Sequence, residues 1–265
     1  CAEPLLPYAE AVLTFFERHY GLDENGRLKL EPSQALETWW DCTNAMSEVA
    51  GLHYLTKTLK TVPVRLMSPE LRGLIGRLEA ILPPLPTREV EGLRMLAPAE
   101  RFANKSNVEN PELYAVYPFR LFGVGKPDIE LAIRALDRRE DRGHFGWRQD
   151  DLFMALLGLP DRARQGLTER AARWDKNHRF PAFWGPNYDW TPDQDHGGVL
   201  VKTLQSMLLQ CEGREIRLLP AWPADWEAEF KLHAPFGTVL EGRARGGKVV
   251  RLRVTPGSRK SDIVR

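Results

Sequence analysis

Cysteine is scarce and poorly placed for either of its structural uses. Cys1, Cys42 and Cys211 cannot all pair within the chain, and they show no metal-ligand spacing. The six histidines (His19, His53, His144, His178, His196, His233) are scattered, so no metal site is expected, and His19, His53 and His233 read as packing residues. No apolar run approaches the ~20 residues that a membrane-spanning helix needs. Charge of one sign is also lacking: 37 Lys+Arg stand against 36 Asp+Glu, so nothing in the balance invites nucleic acid or an anionic membrane. A nucleophile elbow of the G-x-S-x-G kind and a phosphate-binding loop are both missing, and no cofactor is implied. Oligomeric state is left open.

What the chain does have is aromatic residues, eight of them tryptophan, and one stretch concentrates them beside carboxylates. Arg179 to Gly198 reads R-F-P-A-F-W-G-P-N-Y-D-W-T-P-D-Q-D-H-G-G. Its three prolines and three glycines make it a poor helix or strand, and a periodic apolar run follows, so it reads as a long loop feeding a helix. Loops of this length in compact domains are functional or disordered, and a disordered one is poor in aromatics. Trp184, Asn187, Tyr188, Asp189, Asp195 and His196 offer flat apolar faces, amide and imidazole groups and carboxylates, the combination a sugar site needs. An ordered loop with packed rings and turn-capping aspartates is the plainer alternative.

With 265 residues the chain has room for one large domain, or a large one with an appendage. Helical spacing is read over Pro4–Tyr20, Ser33–Leu59, Glu112–Phe122, Pro127–Arg139, Gln149–Leu157, Asp161–Trp174 and Val199–Cys211. Ser68-Pro69-Glu70 is a strong helix start: a cap, a proline at the first helical position and an acid at the positive end of the dipole. Glu91-Gly92 marks a hairpin turn within Val90–Leu96. At about Glu212 the apolar period changes from 3.6 to 2, and Gly246-Gly247 marks a second hairpin. The expected fold is therefore mainly α: helical hairpins over residues 1–212, then a small antiparallel, β-sandwich-like domain over residues 213–265. Because the chain opens in what reads as a helix in full stride, it is expected to be a piece of a longer protein.

Two further segments carry chemistry-bearing residues. In Glu31–Asn44, the four-residue spacing of Glu37 and Asp41 places them on one helix face with Trp40 alongside. A carboxyl beside tryptophan loses hydration, which raises its pKa and suits a general acid; acids of a solvated helix start are the plainer alternative. In Gly143–Asp151 the glycines allow close backbone approach to a ligand, and Trp147 offers a stacking face. The alternative there is a loop in which Asp150 or Asp151 caps the next helix.

Three segments together resemble a known family: P-S-Q-A-L-E-T (Pro32–Thr38), E-N-P-E-L-Y-A-V-Y-P-F (Glu109–Phe119) and D-Q-D-H-G-G-V-L-V-K-T-L-Q-S-M-L-L-Q (Asp193–Gln210). Their order and spacing are similar to the catalytic half of the six-hairpin, (α/α)6-barrel glycosidases, most like glycoside hydrolase family 95, the inverting α-L-fucosidase and α-L-galactosidase group. The segment Arg214–Pro223 is similar to the point where that family leaves its barrel for a C-terminal β domain. The resemblance implies an incomplete (α/α) toroid in this chain, with Glu37 at the family's general acid and Asp195 at its general base. Leu36 and Thr38 stand where the family has Pro and Asn, and Asn107–Pro111 stands where it has a His-rich run.

The function so implied is inverting hydrolysis of an oligo- or polysaccharide, α-L-fucosidase-like, with Trp40, Trp147, Trp184, Asn187, Tyr188, Asp189 and His196 binding substrate. Inversion needs a protonated acid and an ionised base. Glu37 beside Trp39 and Trp40 is expected to stay protonated through desolvation, and Asp195 at a helix start to stay ionised. Two rivals remain: a polysaccharide lyase using Tyr188, His196, Asn187 and Arg179, and a binding remnant without chemistry. A secreted or periplasmic full-length parent is expected, with this piece inactive by itself.

Overall fold

The start read at Ser68 is where a helix begins. Ser68 Oγ accepts a hydrogen bond from the Leu71 amide at 3.0 Å, Pro69 occupies the first turn, and the helix runs Pro69–Ile81. Its apolar residues Leu71, Leu74, Ile75 and Leu78 fall at i, i+3, i+4 and i+7 and are buried as one stripe. The structure, a computed structural model, describes residues 5–174, 176 and 194–264. These divide into two compact units, one of Cys1–Phe122 with Lys126–Asp141, the other of Gly123–Gly125 with Arg142–Arg265.

The first unit is built on three helices, α1 (Leu6–His19), α2 (Met46–Leu59) and α3 (Pro69–Ile81). Leu13, Val49, Leu52, Leu71, Ile75 and Leu78 share one core with Leu28 and Leu30. Each such side chain contributes roughly 1.5–3 kcal/mol by leaving water. The strands β1 (Gly21–Leu22) and β2 (Leu28–Lys29) form a short ribbon. An antiparallel sheet pairs β3 (Ser33–Ala35) with β4 (Trp39–Ala45), and β4 with β7 (Ala99–Lys105). The hairpin of β5 (Thr87–Val90) and β6 (Leu93–Leu96) turns at Glu91-Gly92, both with positive φ, as a tight two-residue turn requires. Helix α4 (Ile129–Arg138) lies against β6.

The second unit packs α5 (Asp150–Leu156), α6 (Pro160–Ala172) and α7 (Asp195–Leu208) together. Ala155, Ala163, Leu167, Met207 and Trp222 share its helical core. Two three-stranded sheets follow. One holds β8 (Leu209–Glu212), β9 (Glu215–Leu218) and β13 (Ile263–Val264), the last parallel to β9. The other is the antiparallel meander β10 (Ala228–Ala234), β11 (Thr238–Arg245) and β12 (Lys248–Thr255), turning at Gly246-Gly247.

This corrects the mainly α, toroidal expectation. Of the described residues 40% are helical and 26% lie in strands, and the strands form five small sheets, so the fold is mixed α/β. The largest misreading is Ser33–Ala45, expected as helix and found as the β3–β4 hairpin. Thr38, Trp39, Trp40, Cys42 and Thr43 are the aromatic, β-branched and small residues that fit a half-buried strand. Leu36 and Asp41, both at positive φ, break any helical run through the segment. Glu112–Phe122 likewise is not a helix but a single 3-10 turn, Pro111–Leu113, followed by turns.

Because Ser68 supplies the one side-chain acceptor at the start of α3, Ser68→Ala is expected to cost ~1 kcal/mol. A urea titration checks it, the midpoint falling without a change in slope.

Candidate functional site

Glu37 sits in the turn joining β3 to β4, exposed, not on a helix. The turn is held from the segment that follows β7. Glu109 Oε2 accepts hydrogen bonds from the Glu37 amide at 3.0 Å and the Thr38 hydroxyl at 3.2 Å, and Thr38 Oγ1 accepts one from the Glu109 amide at 3.0 Å. The Glu37 carboxylate accepts a hydrogen bond from Asn107 Nδ2 at 3.0 Å. Trp40 donates its indole N–H to the Glu37 carbonyl at 3.2 Å while keeping 49% of its surface exposed. An aimed carboxylate thus stands beside an open aromatic face. Asp41 faces elsewhere, accepting from Asn104 Nδ2 at 2.6 Å.

The desolvation expected at Glu37 is found at its neighbours. Burial raises the pKa of Glu109, against the hydrogen bonds from the Glu37 amide and Thr38, and the Glu37 charge adds to the rise. Glu112, buried just after it, is pushed up to about 7 by burial, with Arg88 opposing and Asp141 and Glu140 reinforcing the rise. Both carboxyls line a narrow cleft with Trp39, Arg88, Glu140 and Asp141. Lys105 Nζ closes one side of this cluster, 2.9 Å from Glu140 and 2.8 Å from Asp141. Asn107 and Glu109 were missed as site residues. Their signal was the run Asn107–Pro111, which places two Asn and a Glu within five residues.

The second unit carries Trp147, Asp195 and His196. Asp195 is the first residue of α7, exposed, at the positive end of the helix dipole. His196 is fully buried, and both its ring nitrogens are occupied: Nδ1 accepts from the Gly146 amide at 3.2 Å and Nε2 donates to the Arg170 carbonyl at 3.0 Å. Burial, with the Arg170 charge adding to it, lowers its pKa. Trp147 is half-buried, its ring 5.9 Å from the Arg148 guanidinium.

Beneath that loop lies a buried ion pair. Arg170 grips Asp151 with Nε at 2.9 Å and Nη2 at 2.8 Å, both side chains fully buried. The same guanidinium donates to the carbonyls of Gly146, at 2.9 Å, and Arg148. Asp150 accepts from the Gly143 amide at 2.8 Å. The carboxylates of Gly143–Asp151 therefore build the loop rather than face a ligand. Trp184, Asn187, Tyr188 and Asp189 lie outside the described residues, as does Arg179. Among the described residues no group of three or more His, Cys, Asp and Glu is disposed to hold a metal.

Two outcomes follow from these buried groups. Arg170→Met leaves the Asp151 carboxylate buried without its cation and is expected to cost ~3–5 kcal/mol of stability, read in a urea melt. Glu112 holds its proton more tightly folded (about 7) than unfolded (4.5). Its contribution is thus full below about pH 4.5 and lost as pH rises to about 7. Glu112→Gln should flatten this slope, so that between pH 4.5 and 8 the wild type loses up to about 3 kcal/mol more than the variant.

No protein-family model matches the chain, and no curated protein matches its sequence.

Proposed function

We infer that the chain carries catalytic residues of a glycoside hydrolase, acting on an oligo- or polysaccharide by inverting acid/base hydrolysis. The sequence resemblance gives Glu37, in the first unit, the role of the acid that protonates the departing oxygen, and Asp195, in the second, the role of the base that activates water; each role is testable by itself. The observation that carries this reading is the Glu37 turn. A carboxylate with no packing role is presented at the surface, oriented by Asn107, braced from behind by Glu109, and flanked by the exposed Trp40 indole. Stacking and aimed carboxylates are what recognition and cleavage of a sugar require. Glu109, whose pKa burial raises, lies against the Glu37 backbone and fixes the turn that presents it. Asp195 is exposed in the first turn of α7, at the positive end of the helix dipole. An α-L-fucosidase-like specificity is the substrate reading carried by the sequence resemblance.

Of the two bases the elimination reading carries, His196 is buried with both nitrogens engaged inside the second unit, and Tyr188 lies outside the described residues.

Assay of wild type and two variants on substrates with two leaving groups tests the roles. Asp195→Asn should lower kcat ~10²–10⁴-fold on all glycosides, the usual worth of a general base. Glu37→Gln should fall as far on natural saccharides but much less on an activated aryl glycoside, whose leaving group needs little protonation. New reducing ends mark hydrolysis, and an unsaturated, ultraviolet-absorbing product marks elimination. Wild-type rates in both variants on both substrates, or an unsaturated product, would overturn the reading.

A further inference from the structure

Helix α7 and strand β10 bring two unrelated periodicities to one groove. Lys202, Gln205 and Ser206 follow the i, i+3, i+4 spacing of a single helix face, and Leu209 opens β8 directly after it. Lys231 and His233 are two apart on β10 and so project from one face of its sheet. Together they line a groove of about 400 Å³, within the range of small-molecule sites. No Asp or Glu is among its lining residues. Lys202 has no hydrogen bond or ion pair among the described residues. Lys231 has one ion-pair partner, Glu241 at 3.0 Å, which does not line the groove. That pair is exposed, and exposed pairs contribute little, so an incoming anion competes for the ammonium at little cost. The end of α7 carries the negative pole of its dipole, roughly half an elementary charge. Two full ammonium charges outweigh it.

The geometry points to this groove as a binding site for a small saccharide-sized ligand bearing one oxyanion group, a carboxylate, sulfate or phosphate. The ammonium groups of Lys202 and Lys231 hold the anion, while Gln205, Ser206 and the His233 imidazole supply the hydrogen bonds that orient the rest. The site lies wholly within the second unit and does not depend on the roles assigned to Glu37 and Asp195.

The test is titration of the whole chain with sodium sulfate, inorganic phosphate, glucuronate and, as neutral control, glucose. The ring resonances of His233 and the heat of binding are followed together. At least one of the three anions should shift the His233 resonances saturably, and which one does so separates the carboxylate source from the tetrahedral ones. Glucose should leave them in place. Lys202→Gln and Lys231→Gln should each weaken binding about tenfold, as loss of a charge-assisted hydrogen bond does, with melting unchanged because both side chains are exposed. Lys202→Arg should retain it. Failure of all three anions to move His233, equal binding of glucose, or binding indifferent to both lysine variants would overturn the assignment.

Discussion

The second unit depends on a charge pair that water does not reach. Arg170 projects from α6 and Asp151 from the start of α5, and their fork-to-fork contact fixes those helices against each other. Burying two ions is costly, and the cost is offset only when every remaining hydrogen-bonding group finds a partner. Here the carbonyls of Gly146 and Arg148 take up the rest of the guanidinium, and the Thr203 hydroxyl on α7 reaches Asp151 at 3.3 Å. The Arg170 carbonyl in turn receives the His196 ring. One residue thus fixes the 143–151 loop through its side chain and, through its carbonyl and His196, the first turn of α7, where Asp195 stands. Close approach makes this possible: a Cβ at Gly166 would lie 2.9 Å from that of Asp151.

In the first unit the organising group is a carboxyl, Glu109, and the logic is reversed. It has no cation in its grip; it accepts from the amide of one residue and the hydroxyl of the next, which fixes the backbone beneath Glu37. Burial raises its pKa, and these two hydrogen bonds oppose the rise.

Local signals were legible wherever one residue type has one job. Ser68-Pro69 opened its helix, and Glu91-Gly92 and Gly246-Gly247 turned their hairpins, because caps and positive-φ positions are decided within a few residues. Ser33–Ala45 was misread because the apolar stripe Val49, Leu52, Leu55 and Leu59 of α2 was carried back over it, while the helix itself starts at Met46. The β-forming residues from Thr38 to Thr43 were the signal that should have prevailed. The partners of the candidate residues were not legible at all. Glu109 holds the Glu37 amide across 72 residues of sequence, and Arg170 meets Asp151 across 19, separations that no apolar period encodes. A buried arginine in a helix of mostly polar residues looks like surface until its partner is known.

The parallel pairing of Ile263 with Ile216 has a consequence in time. Strand β9 is flanked on one side by β8, its immediate predecessor, and on the other by β13, from almost fifty residues later. Arg259, buried just before β13, donates to the Thr238 hydroxyl on β11 and to the Arg214 carbonyl, so the same late segment also ties the two sheets of this unit. On the ribosome the helices of the second unit and the β8–β9 hairpin emerge with one edge of β9 still open. That edge closes only when residues 263 and 264 have cleared the exit tunnel. Until then the nascent chain presents an unpaired strand, the kind of edge that recruits foreign strands. Emergence of Ile263 and Val264, rather than completion of α7, therefore sets the moment at which the open edge of β9 is protected from misassembly.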